Sequence, residues 1–92
     1  MDISKLRKKL DGIDDEIVDL LLRRLKTVSE IAEYKKISGV PIEDPAREQN
    51  ILSRLTKGLD ERTARFVEVV YKATFSASKA YQSQLIESSD KK

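Results

Sequence analysis

The sequence predicts an all-α fold, with three helices per chain and a long first helix, in one domain over residues 1–92. Three observations carry this. Apolar residues recur at intervals of three and four through most of the chain, which is amphipathic helix spacing. Three Gly and two Pro leave few interruptions, so the elements must be long. No stretch shows the apolar–polar alternation of a half-buried strand, and no internal repeat is present.

Asp2 is the expected N-cap of helix 1, placed at about 3–38. Its apolar positions are Ile3, Leu6, Leu10, Ile13, Ile17, Leu20 and Leu21, then Leu25, Val28, Ile31 and Ala32. Gly12 is its only glycine, and Gly39 supplies a left-handed stop. Residues 39–44 form a loop, because Pro41 and Pro45 bias Val40 and Asp44 toward extended backbone. Asp44 caps helix 2, at about 45–57, with Pro45 at its first position. Its stripe is Ile51, Leu52, Leu55 and Leu59, with Lys57-Gly58 as its end. Asp60 caps helix 3, at about 61–87. Its inner face should carry Phe66 or Val67, Val70, Tyr71, Thr74, Phe75, Ser78, Tyr81 and Leu85. The polar tail 88–92 is expected to fray.

Length alone raises a question of assembly. A 36-residue helix is about 54 Å long. A compact chain of this size is only about 32 Å across, from a radius of gyration near 12 Å. The apolar stripe nevertheless runs through both halves of helix 1. A homodimer in which helix 1 pairs with its mate covers it; a monomer would need helix 1 to break near Gly12.

Composition removes whole classes of chemistry. There is no His and no Cys, so Cys/His zinc sites, disulfides, Ser-His-Asp triads and thiol nucleophiles are excluded. A purely carboxylate metal site stays open on composition, but no cofactor and no metal is expected. Charged residues make up 37% of the chain, yet the net charge is only +2 and the basic residues lie among nearly equal numbers of acids, which argues against a nucleic-acid partner. No apolar run approaches a membrane span, and the N-terminus lacks a signal-peptide core. A cytoplasmic protein is expected.

Some polar residues fall on faces that should be buried. Arg24, Val28, Ile31 and Lys35 lie on one stripe of helix 1, two cations framing two apolar residues. Either they converge on a ligand or they snorkel to solvent. Arg7 is 17 residues before Arg24, about 25 Å along the axis, and can join such a site only from another chain. Asp44 and Glu48 suit a helix N-terminus, whereas Arg47 does not and must pair with Asp44 or face an anion. Ser78 and Gln82 are four apart on helix 3 and form either a polar pocket or a hydrogen-bonded core pair. Together these residues suit a small dianion, held by positioning and electrostatics without a nucleophile.

The pattern L-R-K-K-L-D-G-I-D-D-E-I-V-D-L-L-L-R-R, then I-A-E-Y-K-K, P-I-E-D-P-A-R-E and S-A-S-K-A-Y-Q, resembles the all-helical (AroQ-type) chorismate mutases from Leu6 to Gln84. The resemblance implies an intertwined homodimer that converts chorismate to prephenate by a Claisen rearrangement, in phenylalanine and tyrosine biosynthesis. By motif, Arg7 would come from the partner chain and, with Arg24, hold the substrate carboxylates. Lys35 and Gln82 would donate to the ether oxygen. Glu48, with the Asp44 backbone, would hold the ring hydroxyl. Arg47 would close that end, and Ser78 would assist at the ring carboxylate. Val28, Ile31 and Phe75 would be apolar walls. Ser76 and Gln84 compete with Ser78 and Gln82 for the helix 3 positions. Two alternatives remain: an isochorismate-pyruvate lyase of the same fold, disfavoured by the longer loop and complete D-x-x-R-E, and a non-catalytic helical dimerisation or regulatory module.

Overall fold

The computed structural model describes residues 2–90. Its elements are α1 (Ile3–Ser38), α2 (Pro45–Thr56) and α3 (Glu61–Asp90), with no strand among the described residues. α1 and α2 both pack on α3, so α3 is the central support. No helix among these residues is long and apolar enough to cross a membrane.

Each helix starts where a side chain satisfies its orphan amides. Asp2 Oδ1 accepts from the Ser4 amide at 2.9 Å, and Asp44 Oδ1 from the Arg47 amide at 3.1 Å. Asp60 accepts from the Thr63 amide at 2.8 Å and from its hydroxyl at 3.1 Å. α1 stops at Gly39, whose φ of 72° is left-handed and costs a side-chain-bearing residue strain. α2 ends at Thr56, with Lys57 as C-cap and Gly58 at φ 80° turning the chain away. Leu59 therefore lies beyond the α2 stripe, in the linker.

One boundary differs by more than a residue from expectation. α3 continues to Asp90, three residues past the expected end, because Ser88, Ser89 and Asp90 include no Gly or Pro to break it. Residues 91 and 92 of the expected frayed tail lie outside the described residues. α1 runs unbroken through Gly12, so the break that a compact monomer requires does not occur.

The consequence is an elongated chain of 56 × 29 × 14 Å, with a radius of gyration of 16.7 Å. Its core is small: Val28, Ala32, Leu52 and Phe75 are the buried hydrophobic residues. All of them lie in α2, in the second half of α1 or in the middle of α3. From Asp2 to Arg23 every residue of α1 is exposed, including Ile3, Leu6, Leu10, Ile13 and Ile17. On α3, of the pair Phe66 or Val67 expected on the inner face, Phe66 is 68% exposed, and Val70, also expected there, is 46% exposed within one chain. Val67 is the half-buried member of that pair. Within one chain the first half of α1 does not cover the Phe66 and Val70 side of α3.

The Asp60 cap sets one measurable acid sensitivity. Hydrogen bonds from the Thr63 amide and then the Thr63 hydroxyl hold its carboxyl below the usual carboxylate range. A lowered folded pKa stabilises above the unfolded value, and that contribution is lost as pH falls through the lower folded value. Asp60→Ala should therefore lower the thermal midpoint near neutrality. The gap to wild type should narrow below about pH 3.8, as followed by circular-dichroism melts across pH. A gap that stays constant with pH would contradict the cap.

Candidate active site

A cleft of about 330 Å³ opens where the three helices and the 39–44 loop meet, a volume near the lower end for small-ligand sites. Helical spacing delivers its walls. Arg24, Val28, Ile31 and Lys35 enter from one stripe of α1. Buried Val28 seats this stripe against the core, which leaves the two cations at either end of an apolar floor. Phe75, Ser78, Lys79 and Gln82 enter from one face of α3, at spacings i, i+3, i+4 and i+7. Phe75 is 5% exposed and meets Tyr71 edge-to-face at 5.7 Å between centroids, which fixes its ring. Asp44, Arg47 and Glu48 enter from the start of α2, aimed by the Asp44 cap and Pro45.

The cleft thus brings together ten of the eleven residues singled out from the sequence. The exception is Arg7, which is exposed on the far half of its own α1 and does not line the cleft. Ser78 and Gln82 face inward, while their competitors Ser76 and Gln84 are exposed. Two residues along a helix is a turn of about 200°, so the two registers point to opposite sides.

The polar groups are partly tied to each other. Arg24 Nη1 donates to the Ser78 hydroxyl at 2.6 Å, and Lys35 Nζ donates to the Ile42 carbonyl oxygen at 2.9 Å. Gln82 is 6% exposed, and its Oε1 is buried without a hydrogen-bond partner. Such an orphan is costly unless a ligand completes it. A half-turn of the amide puts Nε2 in the same place, so Gln82 can offer either a donor or an acceptor there.

Sequence reading missed three contributors. Lys79 Nζ lies 2.9 Å from Glu43 Oε1 and 3.1 Å from Glu48 Oε2, tying the loop and α2 to α3. Hydrogen bonds to the Glu43 carboxylate, and then to that of Glu48, hold the Lys79 ammonium above its ordinary pKa. Its spacing of four from Phe75 and three from Gln82 was the available signal. Ile42 acts through its carbonyl, which no side-chain pattern reveals, and Ile51 extends the apolar wall from α2. Four cations (Arg24, Lys35, Arg47, Lys79) face the lining carboxylates Asp44 and Glu48 and the Glu43 carboxylate on Lys79, a surplus of one positive charge.

A larger groove of about 730 Å³ runs beside the cleft, between α1 and α3. Leu21, Leu22, Leu25, Val69 and Val70 make it almost wholly apolar, without the convergent charges that orient a small anion. It shares Arg24 and Ser78 with the cleft, so whatever fills it lies against the site's edge.

Sequence comparison with known proteins identifies the family. A chorismate mutase of Methanocaldococcus jannaschii is 32% identical over 92 residues, covering 98% of this chain and 93% of that protein. A bifunctional chorismate mutase/prephenate dehydratase of Aquifex aeolicus is 38% identical over 56 residues, covering 61% of this chain and 16% of that protein. A 4-amino-4-deoxychorismate mutase of Streptomyces venezuelae is 34% identical over 65 residues, covering 65% of this chain and 63% of that protein. No solved structure matches significantly. The sequence model of the family described as chorismate mutase type II matches residues 6–83, and the chain belongs to that family.

Proposed function

We propose that the chain rearranges chorismate to prephenate in a cleft completed by a second copy, the activity its family membership supports. The observation that carries this reading is the convergence of Lys35 and Gln82, from α1 and α3, on the cleft that also holds Arg24 and Ser78. The surplus of one positive charge, joined by the partner's Arg7, suits a dicarboxylate.

The reaction is an intramolecular Claisen rearrangement with a chair-like transition state. The C–O bond breaks ahead of C–C bond formation, so negative charge gathers on the ether oxygen. Lys35 releases the Ile42 carbonyl and donates to that oxygen, and Gln82 donates from the opposite wall through its amide. Arg24, already aligned by Ser78, holds one carboxylate with bidentate geometry. Glu48 and the Asp44 backbone hold the ring hydroxyl, and Arg47 closes that end. Val28, Ile31 and Phe75 press the substrate toward the reactive conformer. No proton passes to the protein, so catalysis rests on orientation and preorganised charge.

The second copy supplies what one chain lacks. An antiparallel α1 laid into the apolar groove covers the exposed stripes of both chains. Because the groove borders Arg24 and Ser78, this also carries the partner's Arg7 to the cleft. The absence of Cys supports the cytoplasm as the compartment.

The test is loss of chorismate absorbance with purified protein, with prephenate identified as product. Turnover to prephenate is expected. No turnover at micromolar enzyme would refute the reading, and salicylate plus pyruvate from isochorismate, without prephenate, would replace it with a lyase.

A further inference from the structure

Lys79 is a cation in the cleft wall to which the catalytic scheme gives no task. Its ammonium bridges Glu43 on the loop and Glu48 on α2, and its side chain is about a quarter exposed. The Asp44 carboxylate caps α2 by accepting from the Arg47 amide. Glu48 is therefore the carboxylate left to receive a donor from the ligand at this end, and Lys79 already compensates its charge.

We propose that Lys79 is a specificity determinant, fitting the ring-substituent end of the cleft to a neutral hydroxyl and rejecting substrates that carry an ammonium there. The assignment rests on the reading that Glu48 holds the ring substituent. A hydroxyl needs only one lone pair of Glu48 and brings no charge. An ammonium in the same place would share Glu48 with Lys79, a cation against a cation at close range, with Arg47 lining the same end. The second anchor on Glu43 keeps Lys79 from swinging away to relieve that repulsion. The same carboxylates that raise its pKa keep Lys79 charged across the neutral range.

The experiment compares kcat/KM for chorismate and for its 4-amino-4-deoxy analogue, which bears an ammonium in place of the ring hydroxyl. The wild-type dimer is expected to favour chorismate. Lys79→Met and Lys79→Gln, which remove the charge in two ways, should move the ratio toward the amino substrate on the order of tenfold. Lys79→Arg should keep the wild-type preference. Partly exposed ion pairs contribute little to folding, and melting curves of the variants check that they fold. An equal change on both substrates makes Lys79 a brace between loop and helix and overturns the assignment. So does a wild-type enzyme that turns over both substrates alike. Wild-type activity with an unshifted ratio overturns this inference alone, whereas a wild type inactive on chorismate removes the catalytic reading and this one with it.

Discussion

Lys35→Ala lowers kcat on chorismate by about 10²–10³-fold and leaves KM within a few-fold, by analogy with a lost oxyanion donor. The reason lies in when the contact is made. In the free chain Lys35 donates to the Ile42 carbonyl, so its ground-state hydrogen bond is already satisfied. Moving to the ether oxygen gains most once charge accumulates there, which places the interaction in the transition state. Lys35 lies in the last turn of α1, where its loss forfeits only a small favourable term with the helix dipole. The variant should remain folded by circular dichroism. Steady-state kinetics decide the matter: a raised KM with kcat preserved would make Lys35 a binding group only. Lys35→Arg keeps the charge but not the compact ammonium, and should recover little of the lost rate.

The second large effect falls on a residue that touches nothing in its own cleft. Arg7→Ala should cost about 2–5 kcal/mol in kcat/KM, the range for truncating one member of a buried charge pair. Within one chain this prediction looks unreasonable. Arg7 is exposed, and it stands about 25 Å along α1 from Arg24. It follows only if the partner's Arg7 reaches the cleft. The variant should keep the wild-type dimer mass in sedimentation analysis, because the apolar stripe rather than Arg7 carries association. A wild-type chain that sediments as a monomer while fully active would contradict the arrangement.

What the sequence disclosed follows from the range of each interaction. The caps at Asp2, Asp44 and Asp60 and the stop at Gly39 are local, made within three residues, and all were legible. The stripe holding Arg24, Val28, Ile31 and Lys35 was legible because helical periodicity is rigid over three turns. The α3 register was harder. Ser76 and Ser78, like Gln82 and Gln84, offer the same chemistry two positions apart, and only packing against α1 and α2 selects Ser78 and Gln82. Lys79 was hidden because its partners Glu43 and Glu48 are distant in sequence and Lys is ordinarily a solvated surface residue. Val70 shows the reverse case. Its periodicity marked an inner face, yet one chain does not bury it, because the pattern records burial in an assembly as readily as in a monomer.

The central claim is that each site is built from two chains, Arg24 from one and the partner's Arg7 from the other. It is tested most directly by mixing inactive Arg7→Ala and Arg24→Ala homodimers under conditions where subunits exchange. Each mixed dimer then has one site with both arginines and one with neither. Random exchange of equal amounts makes half the dimers mixed, so activity should rise to about a quarter of wild type per chain. No recovery despite verified exchange would contradict a site shared across the dimer.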